Sequence, residues 1–340
     1  MDHERMRRLH GNAIMKRAAF DIALKAKAEI ADGTMTFIFD KPSGFTFRAG
    51  QHVRMTLIDP PETDPEGDTR FYSLGCSPQD PDLVFAMRMR DTAFKRVLAN
   101  MPLGEKVKIE ILLNVPPGAF ALHEDAKRPA IMLTGGIGIV PAYSMIKDAT
   151  DRELGHSITL LYANRRPEDA AYLSELQALA TANPNFTLVA TMTRPQTSNQ
   201  AWAGETGRID RAMLERHVKT DRKSIFYIAG LPDMVAGAKA SLKALNVNAF
   251  SIRAEEFSGF DGKGSHKMHQ GSLGKPLGIG LVLIVNAVIA VHLGIFAAVS
   301  PYIRGLLDFK NPVLYIAGAA ILIVIAIKLK FALGRGHRKR

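Results

Sequence analysis

The apolar pattern of the chain changes in character near residue 125, and this change constrains the fold more than any other feature. Residues 21–125 contain short segments in which apolar and polar residues alternate, separated by turns rich in Gly, Pro and Asp. Residues 126–262 contain uniformly apolar segments that alternate with stretches of helical periodicity. The first pattern predicts an antiparallel β-barrel domain, and the second predicts an α/β domain with a parallel sheet.

The end of the chain predicts a membrane segment. Residues 277–299 are 23 consecutive uncharged residues, and residues 312–327 form a second apolar run. About 20 residues suffice for a helix to cross the hydrocarbon of a bilayer. We therefore expect two transmembrane helices in a hairpin over 276–333, preceded by a flexible tether over 263–275 and followed by a basic tail over 334–340. A buried helical hairpin of a soluble domain is the alternative.

The charge of the chain is concentrated at its ends. The formal net charge is +11, and eleven basic residues but one acidic residue follow position 262. Most of these basic residues flank the outer sides of the apolar runs, so the positive-inside rule predicts that both termini and the two domains face the cytoplasm. This pattern indicates membrane lipid as a partner and argues against nucleic acid. The basic arm over 1–20 either lies on anionic lipid or is solvated.

The chain contains a single cysteine, Cys76. This excludes an internal disulfide and any metal centre or cluster held by several thiolates of the chain, and we predict no metal site. We interpret Cys76 as a small core residue. His292 has no second histidine in the apolar runs to pair with it on a haem, so we expect it to contribute to helix packing. Redox chemistry in this chain would therefore require a cofactor other than a thiolate-held cluster or a haem.

One chemical motif lies in the predicted barrel. Arg70, Tyr72 and Ser73 end a predicted strand and offer a guanidinium for a phosphate, a ring to stack on a flat cofactor and a hydroxyl for the edge of that cofactor. Arg88 and Thr92 lie where a later strand leads into a helix, whose first amides can bind a diphosphate. For Arg88, a solvent-facing strand edge is the alternative.

A second motif consists of two loops at the carboxyl edge of the predicted parallel sheet. Glycines at a strand-to-helix turn let the backbone approach a pyrophosphate, although they also occur in structural connections. We expect both loops at the same edge, because they follow parallel strands. The residues of the two loops are Thr134, Gly135, Gly136 and Gly138, then Gly230 and Pro232.

Four segments taken in chain order resemble the ferredoxin–NADP reductase superfamily of FAD-dependent reductases. The segments are RFYS at 70–73, GGIGIVP at 135–141, YIAGLPDMV at 227–235 and AEEFSGF at 254–260. The resemblance covers roughly residues 18–260 and does not include the hairpin. It implies that the barrel over 21–125 binds FAD and that the α/β domain over 126–262 binds NADPH or NADH.

The resemblance also implies roles for individual residues. Tyr72 would stack on the flavin ring, Ser73 would hydrogen-bond near flavin N5, and Arg70 would hold the FAD diphosphate. The glycine-rich loop would hold the nicotinamide dinucleotide, with Thr134 near the nicotinamide. An acidic and an aromatic residue near the end of the domain would approach the flavin. The predicted catalytic set is Tyr72, Ser73, Glu256 and Phe257.

Basic residues follow three of the predicted strand or loop ends, at Arg165, Arg194 and Arg208. Arginine suits the 2′-phosphate of NADPH, whereas a dedicated NADH site usually offers an acid to the ribose. We therefore expect NADPH to be slightly preferred over NADH. Solvated surface arginines are the alternative.

These features predict a membrane-anchored FAD-dependent reductase that takes a hydride from NAD(P)H and passes electrons to a membrane-bound or membrane-adjacent acceptor. The acceptor stays open among a membrane redox protein, a quinone, ferric iron and a ferredoxin. A non-catalytic flavin- or nucleotide-binding module that assists a membrane complex is the alternative. A soluble flavin-transferring reductase is a second, weaker alternative.

Overall fold

The structure is a computed structural model that describes residues 17–113, 119–218 and 223–257. The tether, the transmembrane hairpin, the basic tail and most of the N-terminal arm predicted from the sequence lie outside these residues. Within the described ranges, no helix is both long enough and apolar enough to cross a membrane.

The first six strands form an antiparallel sheet. Because side chains alternate along a strand, Val53 and Met55 are fully buried while their neighbours in β3 are partly exposed. Helix α1, Ala93–Asn100, adds Phe94 and Leu98 to the same core. The strands are β1 Arg17–Ala31, β2 Thr34–Asp40, β3 His52–Leu57, β4 Thr69–Ser73, β5 Asp82–Arg88 and β6 Lys106–Leu112. Their order, β4-β3-β6-β1-β2-β5, confirms the predicted antiparallel domain as a half-barrel.

The next six strands form a parallel sheet in the order β10-β9-β8-β7-β11-β12. Its strands are β7 Ala130–Gly135, β8 Ile158–Asn164, β9 Phe186–Met192, β10 Glu205–Thr206, β11 Ile225–Gly230 and β12 Ile252–Glu256. The helices are α2 Ile139–Asp151, α3 Leu173–Ala182, α4 Arg211–His217 and α5 Pro232–Ala244. The predicted α/β domain is confirmed, and its strands all end at one carboxyl edge.

Helices cover both faces of the parallel sheet. On one face Met145 of α2 belongs to a core that includes Leu160 of β8, and on the other face Leu242 of α5 belongs to a core that includes Leu161. Leu160 and Leu161 are consecutive, and both are fully buried. Adjacent residues of β8 therefore serve opposite cores, which explains why the strand is uniformly apolar in sequence.

The half-barrel and the parallel sheet belong to one compact unit and meet along α2. Ser144 Oγ donates to the carbonyl of Cys76 at 2.6 Å and accepts from the backbone nitrogen of Gly50 at 3.3 Å. Gly50 has a φ of +93°, and a Cβ there would lie 2.6 Å from the carbonyl of Phe120, so glycine is required. Cys76 is 1% exposed, and burial raises the pKa of its thiol to about 12. It is a small core residue, as predicted.

Candidate active site

Strand β4 and helix α1 bring together the residues predicted to face a flavin. Arg70 and Tyr72 lie on one face of β4, opposite Met55 and Val53 of β3. The Tyr72 ring lies 5.7 Å from the Phe94 ring of α1 and is tilted by 42° against it. Burial raises the pKa of the Tyr72 phenol. Tyr72 therefore presents a neutral ring, which suits stacking on a flat cofactor.

Two of the buried hydroxyls that have no hydrogen-bond partner within the described residues lie at the predicted site. Ser73 at the end of β4 is 5% exposed, and Thr134 near the end of β7 is fully buried. Buried polar atoms are nearly always hydrogen-bonded in proteins. The two hydroxyls therefore fit the predicted hydrogen bonds to the edge of a flavin and to a nicotinamide.

Arg70 makes ion pairs and hydrogen bonds with the acidic loop that precedes β4. Its guanidinium lies 2.5 Å from the Asp64 carboxylate and 3.1 Å from the Glu66 carboxylate, and it also donates to the carbonyls of Glu66, Gly67 and Thr69. All three guanidinium nitrogens are thus engaged by the acidic loop that precedes β4. The predicted role of Arg70 in holding the FAD diphosphate stays a prediction.

Arg88 lies between the half-barrel and the loop after β8. Its guanidinium donates to the carbonyls of Asp32 and Asp169 and lies 3.7 Å from the Asp169 carboxylate. Arg166 binds the same carboxylate at 3.0 Å and the Asp32 carboxylate at 2.8 Å. The hydrogen bond from Arg166 is the main cause that lowers the pKa of Asp169. Arg88 therefore connects the half-barrel to the loop after β8, and its predicted role at a diphosphate stays a prediction.

The start of α1 carries two cations that sequence reasoning did not assign to the site. Thr92 is the N-cap residue, as predicted, and accepts from the backbone nitrogen of Lys95 at 3.4 Å. The Lys95 ammonium donates to the carbonyl of Arg88 at 2.6 Å. Arg90 is exposed. Neither Lys95 nor Arg90 makes an ion pair with any residue of the described ranges.

The two glycine loops meet at the carboxyl edge of the parallel sheet, as predicted. A Cβ on Gly230 would lie 3.4 Å from the backbone nitrogen of Gly135 and 3.0 Å from the sulfur of Met234. A Cβ on Gly135 would lie 3.2 Å from Met234 Cγ, so this side chain lies across both loops. Gly136 has a φ of +54° and open space where a side chain would be. That leaves the backbone accessible to a dinucleotide.

Gly138 and Pro232 shape the helices that follow the two loops. A Cβ on Gly138 would lie 2.7 Å from the backbone nitrogen of Gly230 and closer still to the carbonyl of Ala229. Pro232 begins α5, where its missing N–H breaks no helical hydrogen bond. Gly138 is therefore required for packing between the loops, whereas the sequence predicted it only as part of the dinucleotide cradle.

Strand alternation decides which acidic residue of β12 faces the half-barrel. Glu255 Oε1 lies 3.7 Å from Nδ1 of His52, the residue opposite Ser73 in the β3–β4 ladder. Glu256 points to Lys239 of α5, at 3.3 Å. Glu255 is therefore the acidic side chain of β12 that reaches the strands of the half-barrel, and the predicted approach of Glu256 to the flavin stays a prediction.

Phe257 lies beside the second glycine loop. Its backbone nitrogen donates to the carbonyl of Gly230 at 2.9 Å. Its half-buried side chain packs against the core that includes Ala229. Phe257 is therefore held beside the loop of Gly230, and its predicted approach to the flavin stays a prediction.

The three arginines predicted to bind a 2′-phosphate lie at the same edge. Arg165 follows β8, and its carbonyl accepts from the backbone nitrogen of Arg194 at 2.8 Å. Arg208 follows β10, which pairs in parallel with β9. The side chain of Arg165 is 60% exposed and lies 3.8 Å from Asp169. Arg194 and Arg208 are exposed and make no ion pair within the part of the chain that the structure describes.

Comparisons with known proteins agree with this geometry. Residues 132–240 match the family model of the oxidoreductase NAD-binding domain. Over 224 residues the chain is 27% identical to the glycine betaine monooxygenase reductase subunit of Chromohalobacter salexigens. The aligned residues make up 66% of this chain and 60% of that protein. The chain therefore spans less than two thirds of the length of this curated relative.

Solved structures share the fold. The Amycolatopsis cytochrome P450 reductase matches with a TM-score of 0.60 at 21% identity, covering 73% of this chain and 72% of that one. A ferredoxin NADP⁺ reductase from Neisseria gonorrhoeae, solved with bound FAD and NADP, matches with a TM-score of 0.55 at 19% identity. The match covers 71% of this chain and 99% of that one.

The half-barrel and the parallel sheet together form the ferredoxin–NADP reductase-like two-domain fold. The homologues are NAD(P)H-dependent flavin oxidoreductases of the ferredoxin reductase type, and structural neighbours bind FAD and NADP. The resemblance predicted from four sequence segments is thus confirmed for the two domains.

Proposed function

We propose that this chain is a membrane-anchored reductase that uses FAD to take a hydride from NAD(P)H and passes the electrons to an acceptor at the membrane. The observation that carries the proposal is the meeting of the two domains at the candidate site. His52, opposite Ser73 in the half-barrel, faces Glu255 at the carboxyl edge of the parallel sheet, at 3.7 Å. A dinucleotide on the glycine loops would therefore lie next to a cofactor on β4.

The residues of the chain bind and orient the reactants. When bound, FAD supplies a ring that accepts the hydride and releases electrons singly. Tyr72 provides the stacking surface for that ring, and Ser73 Oγ provides a hydrogen bond to its edge. The glycine loops let the dinucleotide approach closely, and Phe257 shields the reacting atoms from water.

The acceptor that the comparisons favour is a component of an oxygenase. The C. salexigens relative is a monooxygenase reductase subunit, and the Amycolatopsis structure is a cytochrome P450 reductase. We propose an iron-containing oxygenase component or a ferredoxin that serves one. A quinone and ferric iron are the other acceptors to be compared with these.

The proposed reductase activity can be tested directly on the purified protein. Purified in detergent, the protein should be yellow and should reduce an artificial acceptor with NAD(P)H. We expect kcat/KM for NADPH to exceed that for NADH by about tenfold or less, because exposed ion pairs to Arg165, Arg194 and Arg208 would together contribute on the order of 1 kcal/mol. A colourless protein that oxidises neither nucleotide would contradict the reductase and favour the non-catalytic module.

We also propose that residues 276–333 anchor the reductase in the membrane as two helices, with both termini and the catalytic domains in the cytoplasm. Two uncharged or nearly uncharged runs and the basic residues outside them support this topology. A tether of about a dozen residues raises the concentration of the flavin domain near membrane-bound acceptors.

Cysteine labelling would test the topology without removal of the native cysteine. Cys76 is 1% exposed and its thiol has a raised pKa, so it should not react with an impermeant maleimide. On intact cells we expect Arg304→Cys, in the connector between the helices, to be labelled, and Arg338→Cys, in the tail, to be labelled only after lysis. Labelling of Arg338→Cys from outside the cell would overturn the hairpin.

A further inference from the structure

A buried carboxylate, Asp169, joins the half-barrel to the loop after β8 (165–172), which is tied in turn to the loop after β9 (193–204). We propose that Asp169 is a positioning residue that fixes the half-barrel against these two loops. A dinucleotide bound on the parallel sheet would then be held at the reacting distance from a flavin on β4. The inference rests on the proposed function, because it describes how that reductase aligns its nucleotide with its flavin.

Arginines of both domains surround Asp169. Its carboxylate lies 3.0 Å from Arg166, 3.7 Å from Arg88 of β5 and 3.8 Å from Arg165. Asp169 is 3% exposed, and the hydrogen bond from Arg166 holds its pKa below the ordinary value, so the carboxylate is charged at neutral pH. A buried charge is costly to remove from water and depends on such partners.

The turn between β1 and β2 contacts the same loop. The backbone nitrogen of Asp32 donates to the carbonyl of Glu168 at 2.8 Å, and the Asp32 carboxylate accepts from Arg166 at 2.8 Å. Arg88 donates to the carbonyl of Asp32 and, at 3.3 Å, to the carbonyl of Asp169. The half-barrel therefore meets the loop after β8 through two of its elements, and Asp169 pairs with arginines on both sides of this contact.

The loop after β8 is also bound to the loop after β9. The backbone nitrogen of Arg194 donates to the carbonyl of Arg165 at 2.8 Å, and Ser198 Oγ donates to the Glu168 carboxylate at 2.6 Å. Arg165 and Arg194 are among the arginines proposed to bind the nucleotide. Loss of the Asp169 charge should therefore let the nucleotide-binding loops shift together against the half-barrel.

Hydride transfer is sensitive to such a shift. The hydride leaves the dihydronicotinamide, which is oxidised, and joins flavin N5, so that the flavin is reduced. The reacting atoms have to lie about 3–3.5 Å apart, and a misplacement of about 1 Å can cost about 100-fold in rate. The loops would still bind the nucleotide after they had moved together. Asp169 should thus affect the rate of flavin reduction more than the affinity for NADPH.

Asp169→Asn keeps the size of the side chain and removes its charge. Full-length protein loaded with FAD would be mixed with NADPH in an anaerobic stopped-flow instrument, which gives the limiting rate of flavin reduction and the apparent Kd of NADPH. We expect the limiting rate to fall by about 10–100-fold and the Kd to change by less than about threefold. An equal change in both would make Asp169 a nucleotide-binding residue and overturn the proposal.

Hydrogen exchange of the flavin-free protein provides a readout that does not depend on activity. The Asp32 amide is bonded to the Glu168 carbonyl across the two domains, so its exchange reports the opening of this contact. In Asp169→Asn we expect this amide to exchange at least about tenfold faster, because the surrounding arginines lose a buried counter-charge. Unchanged exchange together with an unchanged limiting rate would overturn the proposal.

Asp148→Asn is the matched control. Asp148 of α2 is also buried, lies 3.3 Å from Arg152 and accepts from Ser77 Oγ of the half-barrel, but it pairs with no residue of the two loops within the described ranges. It should leave the limiting rate and the Asp32 exchange unchanged within about twofold. Equal effects in Asp148→Asn and Asp169→Asn would assign them to the loss of any buried carboxylate and contradict the proposal.

Arg166→Lys is a milder variant in case Asp169→Asn does not fold, which the unfolding temperature would show. Lysine keeps the charge but cannot bind the carboxylates of Asp169 and Asp32 with a planar fork, so the limiting rate should fall by about three- to tenfold with the Kd of NADPH unchanged. An unchanged limiting rate in Arg166→Lys would contradict the proposal. A native protein whose flavin is reduced by neither NADPH nor NADH would instead overturn the proposed function itself.

Discussion

Replacing Gly138 with alanine is expected to destabilise the protein severely. A Cβ at this position would lie 2.7 Å from the backbone nitrogen of Gly230 and closer still to the carbonyl of Ala229. Both atoms belong to the end of a central strand, β11, and cannot move away as a flexible side chain could. We expect a loss of about 3 kcal/mol or more in the free energy of unfolding, at or above the usual range for overpacking.

Urea unfolding followed by circular dichroism would measure this loss, and Gly237→Ala is the matched control. Gly237 lies inside α5 with open space around it and no positive φ. Alanine there should stabilise the protein by about 0.5–1 kcal/mol, because glycine has a poor helix propensity. Equal stability of the two variants would show that the contact between the glycine loops is not tight.

The two domains could be predicted from sequence because their burial patterns are local. Val53 and Met55 alternate with polar residues along β3, and Leu160 and Leu161 of β8 are both apolar because each faces a different helical layer. Such periodicity is visible in a short segment. The contact of Gly138 with Ala229 joins residues far apart in sequence, so no local pattern predicts it.

The candidate site was predictable where a residue's role depends on its own strand or loop. Tyr72 and Ser73 lie at the end of β4 and the glycine loops lie at the carboxyl edge, as their motifs indicated. The partners of side chains could not be predicted. Asp64 is six positions from Arg70, but only the folded loop brings its carboxylate to 2.5 Å from the guanidinium.

The same limit applies to the acidic residues of β12 and to α1. Glu255 and Glu256 are adjacent, and which of them faces the half-barrel depends on the phase of alternation in a short strand. Lys95 belongs to an ordinary basic helix start in the sequence. In the structure the carboxylates of Asp64 and Glu62 engage Arg70 and Arg96, and Lys95 has the carbonyl of Arg88 as its hydrogen-bond partner.

Ser73→Ala is expected to make the flavin-free protein more stable and the enzyme slower. The Ser73 hydroxyl is buried without a partner in the described residues, so removing it should raise the free energy of unfolding by about 1 kcal/mol. If the hydroxyl binds the edge of the flavin, its loss should lower the turnover of NADPH by about 100-fold. Unfolding of the flavin-free protein and steady-state oxidation of NADPH would measure the two effects.

Ser144→Ala separates this result from a general effect of losing a buried serine. Ser144 Oγ has two partners, the carbonyl of Cys76 and the backbone nitrogen of Gly50, and it lies at the contact of the two domains, outside the set of residues proposed to touch cofactors. Its loss should destabilise the protein by about 1–3 kcal/mol and change turnover little once the protein is folded. Opposite signs for the two serines are expected because Ser73 Oγ is buried without a partner in the described residues, whereas Ser144 Oγ has two. If Ser73→Ala destabilised the protein as Ser144→Ala does, Ser73 would be a structural residue, and full turnover in Ser73→Ala would remove its hydroxyl from the reacting ring.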